Sequence, residues 1–199
     1  MCAVDVSGSL YCWGQPWFIP GGNVRFVVPT RISGFAGVQQ LRMADLALCA
    51  QLTGSDWYCI GDLQDSFRGY GVQHSATRIG VLAGALDVSL RWSGGCFVRG
   101  TDGVVRCFGD NEYGAAGRPP SSIGLHPTGP VDVPGISGVI AVTSGGWHSC
   151  ALRADGAVFC WGRNTHGQVG VGPDPRNPAD GPGDDPRFGR PATRVEFRP

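Results

Sequence analysis

The chain has 199 residues, 16 basic and 16 acidic, so its formal net charge at pH 7 is zero. Nucleic acids and anionic membrane surfaces bind proteins through clusters of basic residues, and this neutral chain has no such cluster. We therefore expect neither partner. Glycine (33) and proline (15) are abundant, and 42% of the residues are hydrophobic, which is typical of a turn-rich globular protein. The longest apolar runs, such as residues 79–86, are too short to span a membrane.

A hairpin bounded by two cysteines recurs four times along the chain. Its opening cysteines lie at positions 2, 49, 96 and 150, which gives steps of 47, 47 and 54 residues. Each unit runs from a Pro or Ala start through an apolar strand, a glycine turn and a second strand to the hairpin. A period near 50 residues with about four short strands is typical of propeller blades. We therefore predict an all-β fold, a partial β-propeller of about four blades, each a four-stranded antiparallel sheet.

The repeat boundaries predict one propeller-type domain over residues 1–199. The repeats cover roughly residues 2–28, with the front half missing, then 29–75, 76–129 and 130–191, and residues 192–199 open a further repeat. Because the chain starts and stops within repeats, we expect a truncated fragment of a longer propeller protein or a misplaced start codon. Two chains that self-associate to close the propeller are a further possibility.

Strand pairing within each hairpin predicts that its two cysteines face each other. In the fourth hairpin, a turn at residues 154–156 places Cys150 opposite Cys160 and Leu152 opposite Val158, all on one face. The third hairpin has one extra residue, which a β-bulge would absorb. Four pairs with none left over favour disulfides and an oxidising compartment. The candidates are Cys2, Cys12, Cys49, Cys59, Cys96, Cys107, Cys150 and Cys160.

Two other interpretations of these cysteines stay open. They could be reduced and fill tight spaces between blades as small apolar side chains. Zinc ligation is less favoured, because the chain has no CxxC or HxxxH spacing.

Each hairpin is followed by a large apolar residue and a glycine, which we assign to packing between blades. A GxNxxGxxG pattern then follows at residues 109–117 and 162–170. It superficially matches a dinucleotide-binding fingerprint, but it follows a hairpin and opens no helix, so we interpret it as a turn.

The fourth unit, over residues 138–170, resembles the repeat of the regulator of chromosome condensation family. The resemblance weakens in the second and third units, where Ala47 and Gly94 replace His148. It implies a β-propeller with about seven blades when complete. The cysteine-paired version resembles repeats in exported bacterial proteins.

The resemblance implies more than one function. The namesake of the family is a guanine-nucleotide exchange factor for a small GTPase and binds chromatin, whereas another protein of this fold is a secreted inhibitor that caps β-lactamases. A fold alone does not choose between such functions. No residue needed for nucleotide exchange can be placed on this chain.

Motifs for catalysis are absent from the sequence. The chain contains no lysine, which excludes a P-loop, and it has no GxSxG, HExxH or CxxC. The acidic stretch at residues 174–185 matches no calcium loop. We therefore expect no catalytic residue, no metal site and no cofactor.

These observations favour a non-catalytic protein–protein interaction propeller that is extracellular, periplasmic or at the cell surface, with a protein partner that the sequence does not identify. The partner-binding candidates are aromatic, because aromatic residues dominate interface hot spots: Trp17, Phe18, Trp92 and Trp147. Core packing is the alternative for each of them. The alternative function, nucleotide exchange on a small GTPase, would place the chain in a reducing cytoplasm with free thiols.

Overall fold

The computed structural model describes residues 1–15, 25–44, 46–62, 72–91, 94–118, 128–170 and 190–196. Within these ranges the regular structure is almost all β, apart from short 3-10 turns at Gly80–Leu82 and Glu112–Gly114. The strands are β1 (Cys2–Val4), β2 (Leu10–Gly14), β3 (Phe26–Arg31), β4 (Val38–Met43), β5 (Ala47–Leu52), β6 (Trp57–Asp62), β7 (Val72–Arg78), β8 (Ala85–Arg91), β9 (Gly94–Arg99), β10 (Val105–Gly109), β11 (Thr128–Asp132), β12 (Val139–Ser144), β13 (His148–Arg153), β14 (Val158–Gly162) and β15 (Arg190–Arg194).

The strands form four antiparallel sheets, which we call blades 1 to 4. Blades 2, 3 and 4 each have four strands in chain order (β4–β7, β8–β11 and β12–β15), and the described part of blade 1 has three (β1–β3). The first strands of blades 2, 3 and 4 contact one another in succession, as β4 with β8 and β8 with β12. The predicted all-β propeller architecture is therefore confirmed, with blade 1 described as a three-stranded sheet.

The predicted hairpin register is confirmed. In blade 4, Cys150 pairs with Cys160 and Leu152 with Val158. In blade 3, β9 and β10 pair without a register shift from Gly94 to Val98, so the extra residue does not form a strand bulge. It lies in the turn at residues 99–104, which an ion pair of 2.6 Å between Arg99 and Asp102 holds together.

All eight cysteines form the four predicted cross-strand disulfides, and none is free. The paired Cα atoms lie 4.0 to 4.1 Å apart. This geometry supports the disulfide prediction.

The hydrophobic core lies between the blades, as three separate clusters. One fills the space between blades 1 and 2, the next lies between blades 2 and 3, and the last lies between blades 3 and 4. In blades 2, 3 and 4 the large residue after the second cysteine contributes to these clusters, as predicted: Ile60, Phe108 and Trp161 are at most 5% exposed. Each such side chain stabilises the stack by about 1.5–3 kcal/mol through burial of apolar surface. The corresponding Trp13 of blade 1 is partly exposed.

Polar side chains also join neighbouring blades, at the edge of each first strand. Asp87 in β8 accepts a hydrogen bond from the backbone N–H of Val142 in β12 (2.9 Å), and Ser89 Oγ accepts one from Ser144 N–H (2.8 Å). On the other side, Arg42 of β4 donates to Asp87 from both Nε (3.0 Å) and Nη2 (2.7 Å). The outer edge of β12 has no partner strand, so its backbone N–H groups need other acceptors. The side chains of Asp87 and Ser89 in blade 3 supply them.

Candidate protein-interaction surface

Of the predicted partner-binding residues, Trp147 lies in the described part of the chain, whereas Trp17, Phe18 and Trp92 lie outside the described residues. Trp147 is 44% exposed, at the turn that leads into β13. It is the one aromatic side chain among the exposed large apolar residues of the described ranges. Its exposure contradicts the alternative that Trp147 packs in the core.

Trp147 belongs to a mixed aromatic and cationic cluster. Its ring lies edge-on to the ring of Tyr113, with the centroids 5.9 Å apart. The Arg163 guanidinium carbon lies 5.0 Å from the Tyr113 centroid and 5.1 Å from the Trp147 centroid. The guanidinium therefore contacts both rings, a cation–π arrangement that stabilises the cluster. We call these three residues the Trp147 cluster.

Backbone geometry positions two members of the Trp147 cluster within blade 4. The N–H of Arg163 donates to the carbonyl oxygen of Trp147 at 2.8 Å. Gly162, the last residue of β14, has a φ of +100°. A Cβ atom at Gly162 would lie 2.5 Å from the carbonyl oxygen of Trp147. Only glycine allows this approach, so Gly162 also sets the position of the cluster.

The third member, Tyr113, comes from blade 3. It lies in the turn after β10 with a φ of 58°, a left-handed conformation that is uncommon for a residue other than glycine. Asn111 holds this turn, since its backbone oxygen accepts from Gly114 N–H (2.9 Å) and its Oδ1 accepts from Ala116 N–H (3.0 Å). The cluster therefore spans the junction between blades 3 and 4.

Tyr113 and Arg163 were not among the predicted binding residues. Both lie in the two copies of the GxNxxGxxG pattern, which the structure confirms as a turn: Asn164 Oδ1 accepts from Val169 N–H at 3.2 Å, as Asn111 does in blade 3. The sequence signal that could have found Tyr113 is its position, because the turn after the third hairpin leads towards blade 4, where Trp147 lies.

Two further basic side chains lie next to the Trp147 cluster. Burial lowers the pKa of Arg91 to about 10, against the opposing charge of Asp110, and Arg91 Nη2 donates to the Asp110 backbone oxygen. Burial also lowers the pKa of His148, and the positive charge of Arg91 lowers it further. His148 is therefore held in its neutral form beside a permanent cation.

The lowered pKa of His148 predicts that stability depends on pH. Its pKa lies below the unfolded value of 6.5, so the unfolded chain binds the proton more readily. Stability contributed by neutral His148 is fully present above pH 6.5 and is lost as the pH falls from there through the folded pKa. We expect the thermal midpoint to fall between about pH 7.5 and about pH 5, and the fall to be smaller in His148→Gln. An equal fall in both proteins would contradict this assignment.

The described ranges contain no cluster of three or more His, Cys, Asp or Glu side chains that could hold a metal ion. In the same part of the chain, no helix has the length and apolar character needed to cross a membrane. The arrangement at the Trp147 cluster offers contact area and a positive charge, without a nucleophile or a paired acid and base.

Comparison with known families finds matches that begin in blade 4. Models of the Regulator of chromosome condensation (RCC1) repeat match residues 139–168 and 155–187. The human probable E3 ubiquitin-protein ligase HERC3 is 53% identical over 34 residues, which is 17% of this chain and 3% of that protein. The Drosophila melanogaster Regulator of chromosome condensation is 38% identical over 72 residues, which is 35% of this chain and 13% of that protein.

The fold similarity extends over the whole chain. Prp20p from Saccharomyces cerevisiae, whose structure was determined together with its binding properties to Gsp1p and histones, superposes with a TM-score of 0.69 at 20% identity. The match covers 99% of this chain and 48% of Prp20p. The chain thus spans about half of that propeller and a small part of the two curated relatives.

Proposed function

We propose that this chain, whose residues 139–168 and 155–187 match models of the regulator of chromosome condensation (RCC1) repeat, is a non-catalytic protein-interaction propeller that acts outside the reducing cytoplasm, exported or at the cell surface. The observation that carries the proposal is the Trp147 cluster. In this proposal the propeller carries out no catalytic step, and it binds another protein through the Trp147 cluster.

The composition of the Trp147 cluster supports a role in protein binding. Trp, Tyr and Arg are the three residue types most enriched at interface hot spots. The Trp147 side chain is half-exposed, and its contacts with Tyr113 and Arg163 hold it in one orientation before a partner arrives. Such preorganisation reduces the conformational entropy lost on binding.

The four disulfides support the proposed compartment. They are compatible with an extracellular, periplasmic or surface location, because disulfides form and persist where thiols are not kept reduced. A protein that exchanges guanine nucleotides on a small GTPase would meet its substrate in a reducing compartment.

The relatives support the class of function rather than a partner. Prp20p carries the same fold and binds the proteins Gsp1p and histones. At 20% identity this similarity supports a shared fold and does not identify a partner. The partner of this chain has to be identified by experiment.

A Trp147→Ala substitution tests the proposal. Partners are captured by the oxidised chain from the extracellular fraction of its source and identified by mass spectrometry, and each Kd is then measured with purified components. We expect Trp147→Ala to weaken binding about 30-fold, because a hot-spot tryptophan contributes about 2 kcal/mol. Leu86→Ala is the matched control, since Leu86 is 46% exposed and lies at the start of β8 in blade 3. An unchanged Kd for Trp147→Ala would contradict the assignment of this surface.

Guanine-nucleotide exchange is the second candidate, favoured by the similarity to the Drosophila melanogaster relative. It predicts that the chain accelerates nucleotide release from a small GTPase and that it does so with its cysteines reduced. If neither the oxidised nor the reduced chain accelerates release, this candidate is excluded.

A further inference from the structure

The outer strand of blade 2, β7, has one edge with no partner strand among the described residues. β7 is the last strand of its sheet and pairs with β6 on its inner side. It spans seven residues, Val72–Arg78, whereas the outer strands of the other blades (β3, β11 and β15) span five or six. Such an edge presents a row of backbone N–H and C=O groups with which another strand can pair. We call it the β7 edge.

The pairing with β6 identifies which backbone groups of β7 face outward. Thr77 lies opposite Cys59, and the N–H of Ile79 donates to the carbonyl oxygen of Trp57 at 2.9 Å. Thr77 and Ile79 therefore direct their backbone groups into the sheet. Because successive residues of a strand direct these groups to opposite sides, the N–H and C=O of Ala76, next to Thr77, face away from the sheet.

The other outer strands carry a proline at this edge, and β7 does not. Pro29 of β3 and Pro130 of β11 occupy the position of Ala76, because each precedes the residue that pairs with the second cysteine of its hairpin. In β15 a proline lies one position earlier, at Pro191. Proline removes the backbone N–H and so blocks the addition of a strand to an edge. The sequence of β7, Val-Gln-His-Ser-Ala-Thr-Arg, lacks this block.

A cavity of about 430 Å³ lies next to the β7 edge. It is lined by residues 31–36, which connect blade 1 to blade 2. Gly34 of this lining contacts β7, because a Cβ atom at Gly34 would lie 2.9 Å from the Cβ atom of Ala76. Ile32 and Phe35 make part of the lining apolar and are at most 7% exposed, whereas Arg31 is exposed.

We propose that the β7 edge binds an extended segment of a partner protein as an added strand, and that a glutamate side chain of this segment enters the cavity beside Arg31. An added strand supplies the donors and acceptors that the outward groups of Ala76 require. In this mode of recognition backbone hydrogen bonds provide affinity, and a pocket for one side chain of the added strand provides specificity.

The lining of the cavity carries the choice of glutamate. Its aliphatic stem suits Ile32 and Phe35, and its carboxylate complements the charge of Arg31. Among the described residues Arg31 takes part in no ion pair. The acidic group whose charge interacts with Arg31, Asp5, uses its Oδ1 to accept from the N–H of Ser7 at 2.9 Å.

The β7 edge rests on the proposed function only in having a protein as its partner. It belongs to blade 2 and to the connection from blade 1, whereas the Trp147 cluster belongs to blades 3 and 4. A loss of binding at one surface is therefore distinguishable from a loss at the other, by comparing Ala76→Pro with Trp147→Ala.

The test uses a display library of random linear peptides of about ten residues, the length of a long strand. The library is selected on the oxidised wild-type chain and depleted on Ala76→Pro, and the Kd of each surviving peptide is measured with purified chains. Pro29 and Pro130 show that the fold accepts proline at this position. Ala192→Pro is the matched control, because Ala192 takes the same position in β15.

We expect surviving peptides that are rich in glutamate and bind Ala76→Pro about tenfold more weakly than the wild-type chain, because one hydrogen bond is lost and the ring obstructs the added strand. Ala192→Pro and Trp147→Ala should leave the Kd unchanged. A library from which no peptide survives depletion would overturn the proposal, and so would peptides that lose affinity equally for both proline variants.

Methylated peptides test whether the bound segment is a strand. Only every second N–H of an added strand faces β7, so methylation of one alternate set of backbone nitrogens should abolish binding and methylation of the other set should preserve it. Equal sensitivity of the two sets is incompatible with an added strand.

The role of Arg31 is tested by reversing its charge. Arg31→Glu should weaken peptide binding about fivefold, since an exposed attraction becomes a repulsion. Arg194→Glu is the control, because Arg194 is also exposed at the end of an outer strand. Equal effects of the two substitutions would contradict the cavity as the glutamate site. Should Ala76→Pro fail to form its four disulfides, peptides selected on the wild-type chain alone are put through the methylation and Arg31 measurements, and these decide the proposal.

Discussion

Replacing Asp87 with alanine is expected to lower the free energy of unfolding by about 3 kcal/mol. The Asp87 side chain is 8% exposed and contacts three blades. It accepts from Arg42 of blade 2, from the N–H of Val88 in its own strand, and from the N–H of Val142 in blade 4. Alanine leaves the buried Val142 N–H without an acceptor, and such an orphaned donor costs about 1–3 kcal/mol by itself.

A graded pair of substitutions identifies the cause of the Asp87 effect. Asp87→Asn keeps an oxygen for Val142 and loses the charge that faces Arg42, so it should be less destabilising than Asp87→Ala. Asp56→Ala is the matched control, because Asp56 pairs with Arg78 at 2.7 Å on the exposed surface, where solvent screens the interaction. Urea unfolding of the oxidised chains gives the comparison. Equal losses for Asp87→Ala and Asp56→Ala would contradict the role of Asp87 between blades.

The hairpins could be predicted from the sequence because their determinants are local. The Asp155-Gly156 turn and the alternation of side chains along two short strands specify that Cys150 faces Cys160. The same reasoning holds four times along the chain, and repetition makes a local pattern much more informative. The third hairpin shows the limit of this reasoning, since its extra residue lies in the turn, where an Arg99–Asp102 ion pair accommodates it.

The contacts between blades could not be predicted in the same way. Asp87 shares its strand with two other polar residues, Ser89 and Arg91, so nothing in the strand marks it out. Its partners Arg42 and Val142 lie 45 and 55 residues away. The corresponding positions in the neighbouring blades are Gln40 and Ala141, so this contact does not recur with the repeat. Its existence depends on how one sheet stacks on the next, which a strand pattern does not describe.

In the candidate site, too, the local feature could be predicted from the sequence and the contacts between blades could not. Trp147 was predicted because a tryptophan in a turn is a common interface residue. Its neighbours Tyr113 and Arg163 come from two different blades and meet only once those blades stack. A left-handed φ at Tyr113 is also not encoded by residue type, since tyrosine rarely adopts it.

Reduction of all four disulfides is expected to abolish cooperative folding near 37 °C. Each bridge joins residues 10 or 11 positions apart, and closing such a loop stabilises by about 3 kcal/mol in the chain-entropy model. Four contributions of this size are comparable with the entire stability of a typical domain, about 5–15 kcal/mol. Thermal unfolding followed by circular dichroism, with and without a reductant, measures the loss. A reduced chain with an unchanged cooperative transition would contradict the expectation.

Two double variants separate loop closure from packing in the disulfide effect. Cys49→Ala with Cys59→Ala and Cys150→Ala with Cys160→Ala remove bridges of equal sequence separation, so the entropic loss is the same for both. The first pair is completely buried between blades 2 and 3, whereas Cys150 is partly exposed on blade 4. Removing the buried sulfur atoms also leaves a cavity, so the first double variant should lose more stability. Equal losses in the two double variants would contradict the contribution of packing, because loop closure alone would then account for the stabilisation by each bridge.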